Sequence, residues 1–104
     1  MKQHRYRVTV EHLADADGQP STHREPLCFE ARNHDDLYRV LGLVRRRGDF
    51  DEATTQAFVV GLKLFGEVLL EHRDSPLFAD FAAHFFAFMK HLKQGIPADT
   101  SAQK

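Results

Sequence analysis

Phenylalanine is the residue that most limits how this chain can fold. Eight of its nine phenylalanines follow residue 49: Phe50, Phe58, Phe65, Phe78, Phe81, Phe85, Phe86 and Phe88. They fall on two segments in which apolar residues recur at helical spacing, which predicts helices over 52–73 and 76–94. Because aromatic side chains bury large apolar areas, we expect the core in this half of the chain. Helix packing or a cap accounts for every one of the eight except Phe86.

The first third of the chain predicts two strands. Residues 4–13 alternate in polarity, with Tyr6, Val8 and Val10 on one face, as a half-buried strand does. A second alternating segment begins at Leu27, after the turn-forming residues of 14–26. The simplest arrangement of the two is an antiparallel hairpin with a long loop.

Capping residues predict the ends of the first and third helices. Asn33 is expected to be the N-cap of a helix over 34–47, and Gly48 is expected to end it. Ser75 followed by Pro76 predicts the start of the third helix, since proline is favoured at the first helical position.

The second helix, predicted to begin after Asp51, is apolar around nearly all of its circumference. A helix of this kind is expected to be buried on several sides, which would make it the central element. Gly61 and Gly66 lower its helix propensity, so each is expected to mark the close approach of a neighbour.

The predicted fold is therefore α+β, with an antiparallel hairpin packed on three helices in the order β-β-α-α-α. We expect one domain over 1–95 and a disordered tail over 96–104. A two-stranded hairpin is marginal by itself, so the helices are expected to cover its apolar face. Its open strand edges suggest pairing of two copies into a homodimer.

Composition limits the class of protein. A net charge of −1 and a pI of about 6.6 argue against strong general affinity for nucleic acid. The single cysteine, Cys28, excludes an internal disulfide, and the N-terminus lacks the apolar region of a signal peptide. The most apolar run, 57–70, carries Lys63 and Glu67, whose charges disfavour a membrane span. We therefore expect a cytoplasmic protein that does not bind membranes.

Two stretches resemble a family of short bacterial proteins of unknown function. They are the opening HRYRVTVEHL, residues 4–13, and the later GLKLFGE, residues 61–67, followed by Pro76, Leu77 and Phe78. The resemblance covers nearly the whole chain. It implies a small single-domain bacterial protein and transfers no catalytic residue, because none is assigned in that family.

The candidates for metal chemistry are Asp80, His84 and His91, which border the apolar face of the third helix. Asp80 and His84 are four residues apart, whereas His91 lies about 10 Å further along the helix axis. One ion does not readily bridge that gap, and a polar border with a helical Asp–His pair is the simpler interpretation. We predict no metal and no cofactor.

The candidates for nucleic-acid contact are Arg5, Arg7 and Arg32 on the outer face of the hairpin. A two-stranded ribbon that carries arginines can enter a major groove. Glu11 and Glu30 share this face, however, and no aromatic stacking ladder accompanies it. Nucleic-acid binding is therefore the alternative interpretation.

The candidates for protein contact are Phe86, Val59 and Leu70, which lie outside the main apolar arcs of their helices. They would form an exposed apolar patch unless the first helix or the loop over 14–26 covers them. Motifs for nucleophilic catalysis and phosphate binding are absent from the sequence. A non-enzymatic protein-interaction module with an unknown partner is therefore the leading prediction.

Overall fold

The computed structural model describes residues 2–97 of the chain. It contains two strands followed by helices, which confirms the predicted α+β order β-β-α-α-α. The chain forms two compact units, the first ending at His34 and the second beginning at Asp35. The single domain over 1–95 stays a prediction, and the part of the predicted tail from residue 98 onward lies outside the described residues.

The first unit is an antiparallel hairpin of β1, His4–Val10, and β2, Leu27–Asn33. Tyr6 lies opposite Ala31, whereas Arg5 lies opposite Arg32, so the predicted separation of an apolar face from a charged face is confirmed. β1 ends before residue 13 because the chain enters a tight turn, closed by a bridge between Ala14 and Pro20.

The first helix, α1, spans Leu37–Arg47 and begins later than predicted. Asn33 is not its N-cap, because this buried residue is the last of β2. Asp36 is the cap instead, and its Oδ1 accepts a hydrogen bond of 3.0 Å from the backbone N–H of Tyr38. The predicted end at Gly48 is confirmed, with the left-handed φ of 76° that glycine adopts without strain.

The second helix, α2, spans Glu52–Glu71 and is capped by Asp51 as predicted. Its buried residues are Thr55, Val59, Gly66 and Leu69. On a helix that turns 100° per residue, they lie within about 80° of one another. The prediction that α2 is buried on several sides is therefore wrong: one narrow stripe is buried, and much of the remaining apolar circumference is exposed.

The predicted third helix is divided. Pro76–Phe78 form a single 3₁₀ turn capped by Ser75, and the third helix, α3, spans Ala82–Gln94. The first hydrogen bond of the α-helical type in α3 is the one that the backbone N–H of Phe85 donates to the carbonyl of Phe81. The apolar face nevertheless continues across the 3₁₀ turn, because Phe78 packs in one cluster with Ala82, Phe85 and Met89, its neighbours at helical spacing.

The core of the second unit lies between α2 and the segment from the 3₁₀ turn to α3. Leu69, Phe78 and Phe85 form its buried centre, and Leu62 and Met89 pack against it. A Cβ atom added at Gly66 would lie 3.1 Å from Cζ of Phe85, which confirms the close approach expected there.

Gly61 behaves differently from Gly66. Across residues 2–97, a Cβ atom added at Gly61 would meet nothing within 4 Å, so the close approach predicted at this position is wrong for the part of the chain that the structure describes. Judged by length and composition alone, α2 is also long and apolar enough to cross a membrane.

Charged side chains brace the connection between α1 and α2. Arg45 Nε donates a 2.7 Å hydrogen bond to Glu52 Oε1, and this contact lowers the pKa of the Glu52 carboxyl. The ion pair with Arg47 likewise lowers the pKa of Asp49, and hydrogen bonds from Thr54 lower that of Asp51. All three carboxyls are thus held in the ionised form by the folded structure.

We expect Gly66→Val to destabilise the protein by about 2 kcal/mol, because the added side chain overpacks the contact with Phe85. Gly42→Val is the matched control in α1, since a Cβ atom there meets nothing within 4 Å. Its effect should stay within about 0.5 kcal/mol, as helix propensities predict. Urea denaturation measures both, and equal losses for the two variants would contradict the packing described for Gly66.

Acid is expected to weaken the connection between α1 and α2. Since the folded-state pKa of Glu52 is lowered, its contribution is fully present above the ordinary glutamate pKa of about 4.3. The contribution is lost as the pH falls from that value through the folded-state pKa. Glu52→Gln should therefore lose less stability than the wild type between about pH 5 and pH 3.

Arg45→Gln is the control for this experiment, since it removes the partner of Glu52. It should flatten the pH dependence of stability over the same range, between about pH 5 and pH 3. Thermal denaturation at a series of pH values provides the measurement. A Glu52→Gln curve parallel to that of the wild type would show that the ion pair contributes nothing.

Candidate functional site

The most distinctive surface of the second unit is the edge of a group of aromatic rings. We call this group the phenylalanine cluster: Phe65, Phe78, Phe81, Phe85 and Phe86. The ring of Phe65 lies 5.9 Å from that of Phe78, 5.9 Å from that of Phe81 and 5.7 Å from that of Phe85. The ring of Phe86 lies 5.9 Å from that of Phe85 and extends the cluster by one residue. Such edge-to-face and tilted contacts are favoured between aromatic rings.

The cluster is buried at its centre and exposed at its rim. Phe78 and Phe85 are buried, whereas Phe65, Phe81 and Phe86 keep 40%, 45% and 38% of their surface exposed. At about 200 Å² for each aromatic side chain, the rim leaves roughly 240 Å² of apolar surface open to solvent. The largest apolar patch of a typical monomer measures about 300–600 Å² and is often functional, and this rim approaches that size.

This arrangement corrects the interpretation of the phenylalanines. Phe86 was expected to be the one aromatic residue that the core leaves unexplained, but Phe65 and Phe81 are exposed to the same degree. The cause for Phe65 is local, because α2 buries only one stripe and Phe65 is not part of it. The rim, rather than Phe86 alone, therefore needs an explanation.

The predicted patch of Phe86, Val59 and Leu70 is only partly exposed. Phe86 and Leu70 are exposed, the latter at 39%, but Val59 keeps only 1% of its surface. The prediction is wrong for Val59, because this residue belongs to the buried stripe of α2, one turn beyond Thr55. Val59 is therefore a core residue and cannot contact a partner directly.

A second aromatic group surrounds a small pocket. Phe58 lies 5.7 Å from Phe50 and 6.3 Å from Phe88, measured between ring centroids. The pocket has a volume of about 190 Å³, and its rim carries the charged group of Arg47. That guanidinium is fixed by Asp49, whose Oδ2 accepts from Nε at 2.5 Å.

A larger groove runs between all three helices of the second unit. Its volume is about 290 Å³, and apolar side chains form most of its wall: Val40, Leu43, Val44, Leu62, Met89, Leu92 and Ile96. The ion pair between Lys63 Nζ and Asp35 Oδ2, at 2.6 Å, lies at its edge. Because this pair is largely shielded from water, it ties the middle of α2 to the start of the second unit.

The structure does not bring the proposed metal ligands together. Asp80 lies in the turn before α3, whereas His84 and His91 lie on α3 itself. Across residues 2–97, no group of three or more His, Cys, Asp or Glu side chains is placed to hold a metal ion. Asp80, His84 and His91 are all exposed side chains.

The arginines proposed for nucleic-acid contact share the outer face of the hairpin with a carboxylate. Arg7 lies opposite Glu30 in the sheet, and Arg5 Nη2 forms a 2.6 Å ion pair with Glu30 Oε1. Hydrogen bonding from Arg5 is the main cause that lowers the pKa of Glu30, and Arg7 and Arg32 contribute. A phosphate would therefore compete with an internal anion on this face.

A polar network at the hairpin loop was not anticipated from the sequence. Ser21 Oγ lies 2.5 Å from Nδ1 of His12 and accepts a 3.0 Å hydrogen bond from the backbone N–H of His23. The two imidazole rings meet edge to face at 5.0 Å. The only sequence signal was the turn chemistry of the loop, where Asp15 Oδ1 accepts two backbone hydrogen bonds. The network joins His12, at the start of the loop between β1 and β2, to Ser21 and His23 further along it.

We expect Val59→Ala to cost about 2 kcal/mol of stability, because it removes two buried methyl groups and leaves a cavity. Leu70→Ala is the control, and it should cost less than half as much, since Leu70 is already 39% exposed. Urea denaturation measures the loss of stability in both variants. Equal costs would show that the burial assigned to α2 is wrong.

Comparison with known proteins places this fold in a family. Among solved structures, a protein of unknown function from Pectobacterium atrosepticum is 44% identical, with a TM-score of 0.78, over 89% of this chain and 99% of that chain. No curated protein matches the chain. A family described as a domain of unknown function, DUF3861, matches residues 4–94. This confirms the resemblance to an uncharacterised bacterial family, and the chain belongs to the DUF3861 family.

Proposed function

We propose that this protein is a non-enzymatic protein-interaction module that binds its partner through the rim of the phenylalanine cluster. The exposure of Phe65, Phe81 and Phe86 around a buried aromatic centre carries this proposal. The buried rings of Phe78 and Phe85 hold the exposed ones in place, so little conformational entropy remains to be lost on binding. Aromatic residues, phenylalanine among them, are enriched in the buried cores of protein interfaces.

The smaller of the pockets described above favours a protein partner over a metabolite. Small-molecule sites usually have volumes of about 300–1,000 Å³, whereas this pocket measures about 190 Å³. The smaller pocket, walled by Phe50, Phe58 and Phe88, has room for a single apolar side chain of a partner. The partner is thus expected to present apolar or aromatic side chains.

Several of the charged side chains that line these pockets are already engaged within the chain. Lys63 is paired with Asp35, and Arg47 is bonded both to Asp49 and, at 2.9 Å, to the carbonyl of Leu92. Groups bound in this way hold the helices together and are poorly placed to transfer protons. Binding is therefore better supported than catalysis.

Nucleic-acid binding has weaker support, because Glu30 already pairs with Arg5 on the face that would meet the phosphates. Binding to duplex DNA at low salt that is lost in the Arg5/Arg7 double substitution would revive that alternative. We place the protein in the cytoplasm, where such a module would meet soluble partners.

Phe86→Asp tests the proposal. The charge should abolish capture of the partner while the fold survives, because Phe86 lies at the rim of the cluster. Ala87→Asp is the matched control, since it puts the same charge at the next exposed position of α3. The wild type, the variant and the control are used to capture proteins from the native cell, followed by mass spectrometry.

The proposal predicts proteins that the wild type and Ala87→Asp retain and Phe86→Asp loses. An identical set for all three proteins, or no enriched protein at all, would contradict it. Circular dichroism checks folding. If Phe86→Asp unfolds, Phe81→Ser removes a rim ring outside α3 and replaces it in the comparison.

A further inference from the structure

The face of α2 that points away from the core is also apolar. We call this face the outer strip: Ala53, Ala57, Val60, Gly61, Leu64 and Val68. At 100° per residue these positions fall within about 100° of one another, opposite the buried stripe of α2. Leu64 is half-buried and the other five are exposed. Packing among the described residues of the second unit, 35–97, therefore does not account for the apolar character of this face.

We propose that the outer strip is the interface of a homodimer in which α2 packs antiparallel against α2 of a second copy. This goes beyond the partner binding proposed for the phenylalanine rim, because it uses different residues and names the chain itself as the occupant. In such a dimer each contact occurs twice, once on either side of a two-fold axis.

The sequence of the strip is self-complementary in this arrangement. An axis between Val60 and Gly61 sets the small Ala57 against Leu64 of the other copy. The same axis sets Ala53 against Val68, and Val60 against Gly61. Every pair combines a small residue with a larger one, which is how facing helix surfaces interdigitate. A parallel pairing would instead set small against small and large against large.

Gly61 gives independent support. A glycine in the middle of a 20-residue helix costs about 1 kcal/mol relative to alanine. Among the described residues nothing lies within 4 Å of a Cβ atom built there, so no contact that the structure describes requires a glycine at that position. Where two helices cross closely, the absence of a side chain lets the backbones approach.

A bilayer fits the outer strip less well than a second copy does. The strip from Ala53 to Val68 is about 22 Å long, shorter than the ~30 Å core of a membrane. Lys63, near the middle of α2, also forms an ion pair with Asp35 that would have to enter the lipid. In an antiparallel pair, by contrast, the positive end of each helix dipole lies beside the negative end of the other, which is favourable.

The strip is narrow compared with a standard interface of about 800 Å² per partner, so we expect a dimer that dissociates on dilution. Sedimentation velocity over a range of concentrations should show this equilibrium in the wild type. Val60→Asp should shift it fully to monomer, whereas Gln56→Asp, an exposed position of α2 beside the strip, should leave it unchanged.

Cysteine pairs test the antiparallel register, in chains in which Cys28 is replaced by serine. Mixing Ala57→Cys chains with Leu64→Cys chains and oxidising them should give a mixed disulfide dimer. Ala57→Cys alone should give little, because two copies of residue 57 lie far apart. Gln56→Cys mixed with Leu64→Cys is the control and should not cross-link. This readout also holds if Val60→Asp does not fold.

Several results would overturn the proposal. They are a monomer at the highest concentration, a dimer that Val60→Asp leaves intact, or cross-linking of Ala57→Cys with itself as strong as that of the mixture. A dimer that persists in Val60→Asp would point instead to pairing of the hairpin edges. Flotation with phosphatidylcholine vesicles that Val60→Asp abolishes would assign the strip to a bilayer. Loss of partner capture in Phe86→Asp, by contrast, leaves this test unaffected.

Discussion

The buried stripe of α2 is the constraint on which the second unit depends. Val59, Gly66 and Leu69 face inward along one side of the helix, and Gly66 lets the ring of Phe85 approach the backbone. Thr55 extends the stripe because its hydroxyl donates a 2.7 Å hydrogen bond to the carbonyl of Asp51, which satisfies a buried polar group. One stripe of this width holds few large side chains, and this limits what else the unit can bury.

The exposed aromatic rim follows from that limit. Phe78 and Phe85 occupy the space against the stripe, so the remaining rings gather around them with their edges in solvent. An aromatic-rich sequence in a small helical unit thus yields both a buried aromatic centre and an exposed apolar rim.

Local chemistry made much of the fold predictable from the sequence. Alternation identified both strands and their two faces, and Asp51, Ser75 and Gly48 mark helix ends because their caps depend on neighbouring residues alone. The position of the α1 cap was not predictable in this way. Asn33 and Asp36 both carry capping side chains, and the pairing of β2 decided between them.

The candidate site was less predictable, because an apolar pattern does not show which side the chain covers. α2 is apolar almost all round, so its wheel could not separate Val59, which is buried, from Val60, which is exposed. The division of the third helix was hidden for a related reason. Apolar residues recur at helical spacing through Phe78, Phe81 and Ala82, although the 3₁₀ turn interrupts the hydrogen-bond pattern.

Solvent accessibility of the α2 methyl groups tests the central claim that this helix has one face in the core and an opposite face for association. Paramagnetic relaxation by a soluble agent measures it by NMR at low and high protein concentration. Val59 and Leu69 should be protected at both concentrations, whereas Val60 and Val68 should be exposed when dilute and protected when concentrated. Protection of Val60 and Val68 at every dilution, or exposure at every concentration, would contradict the account.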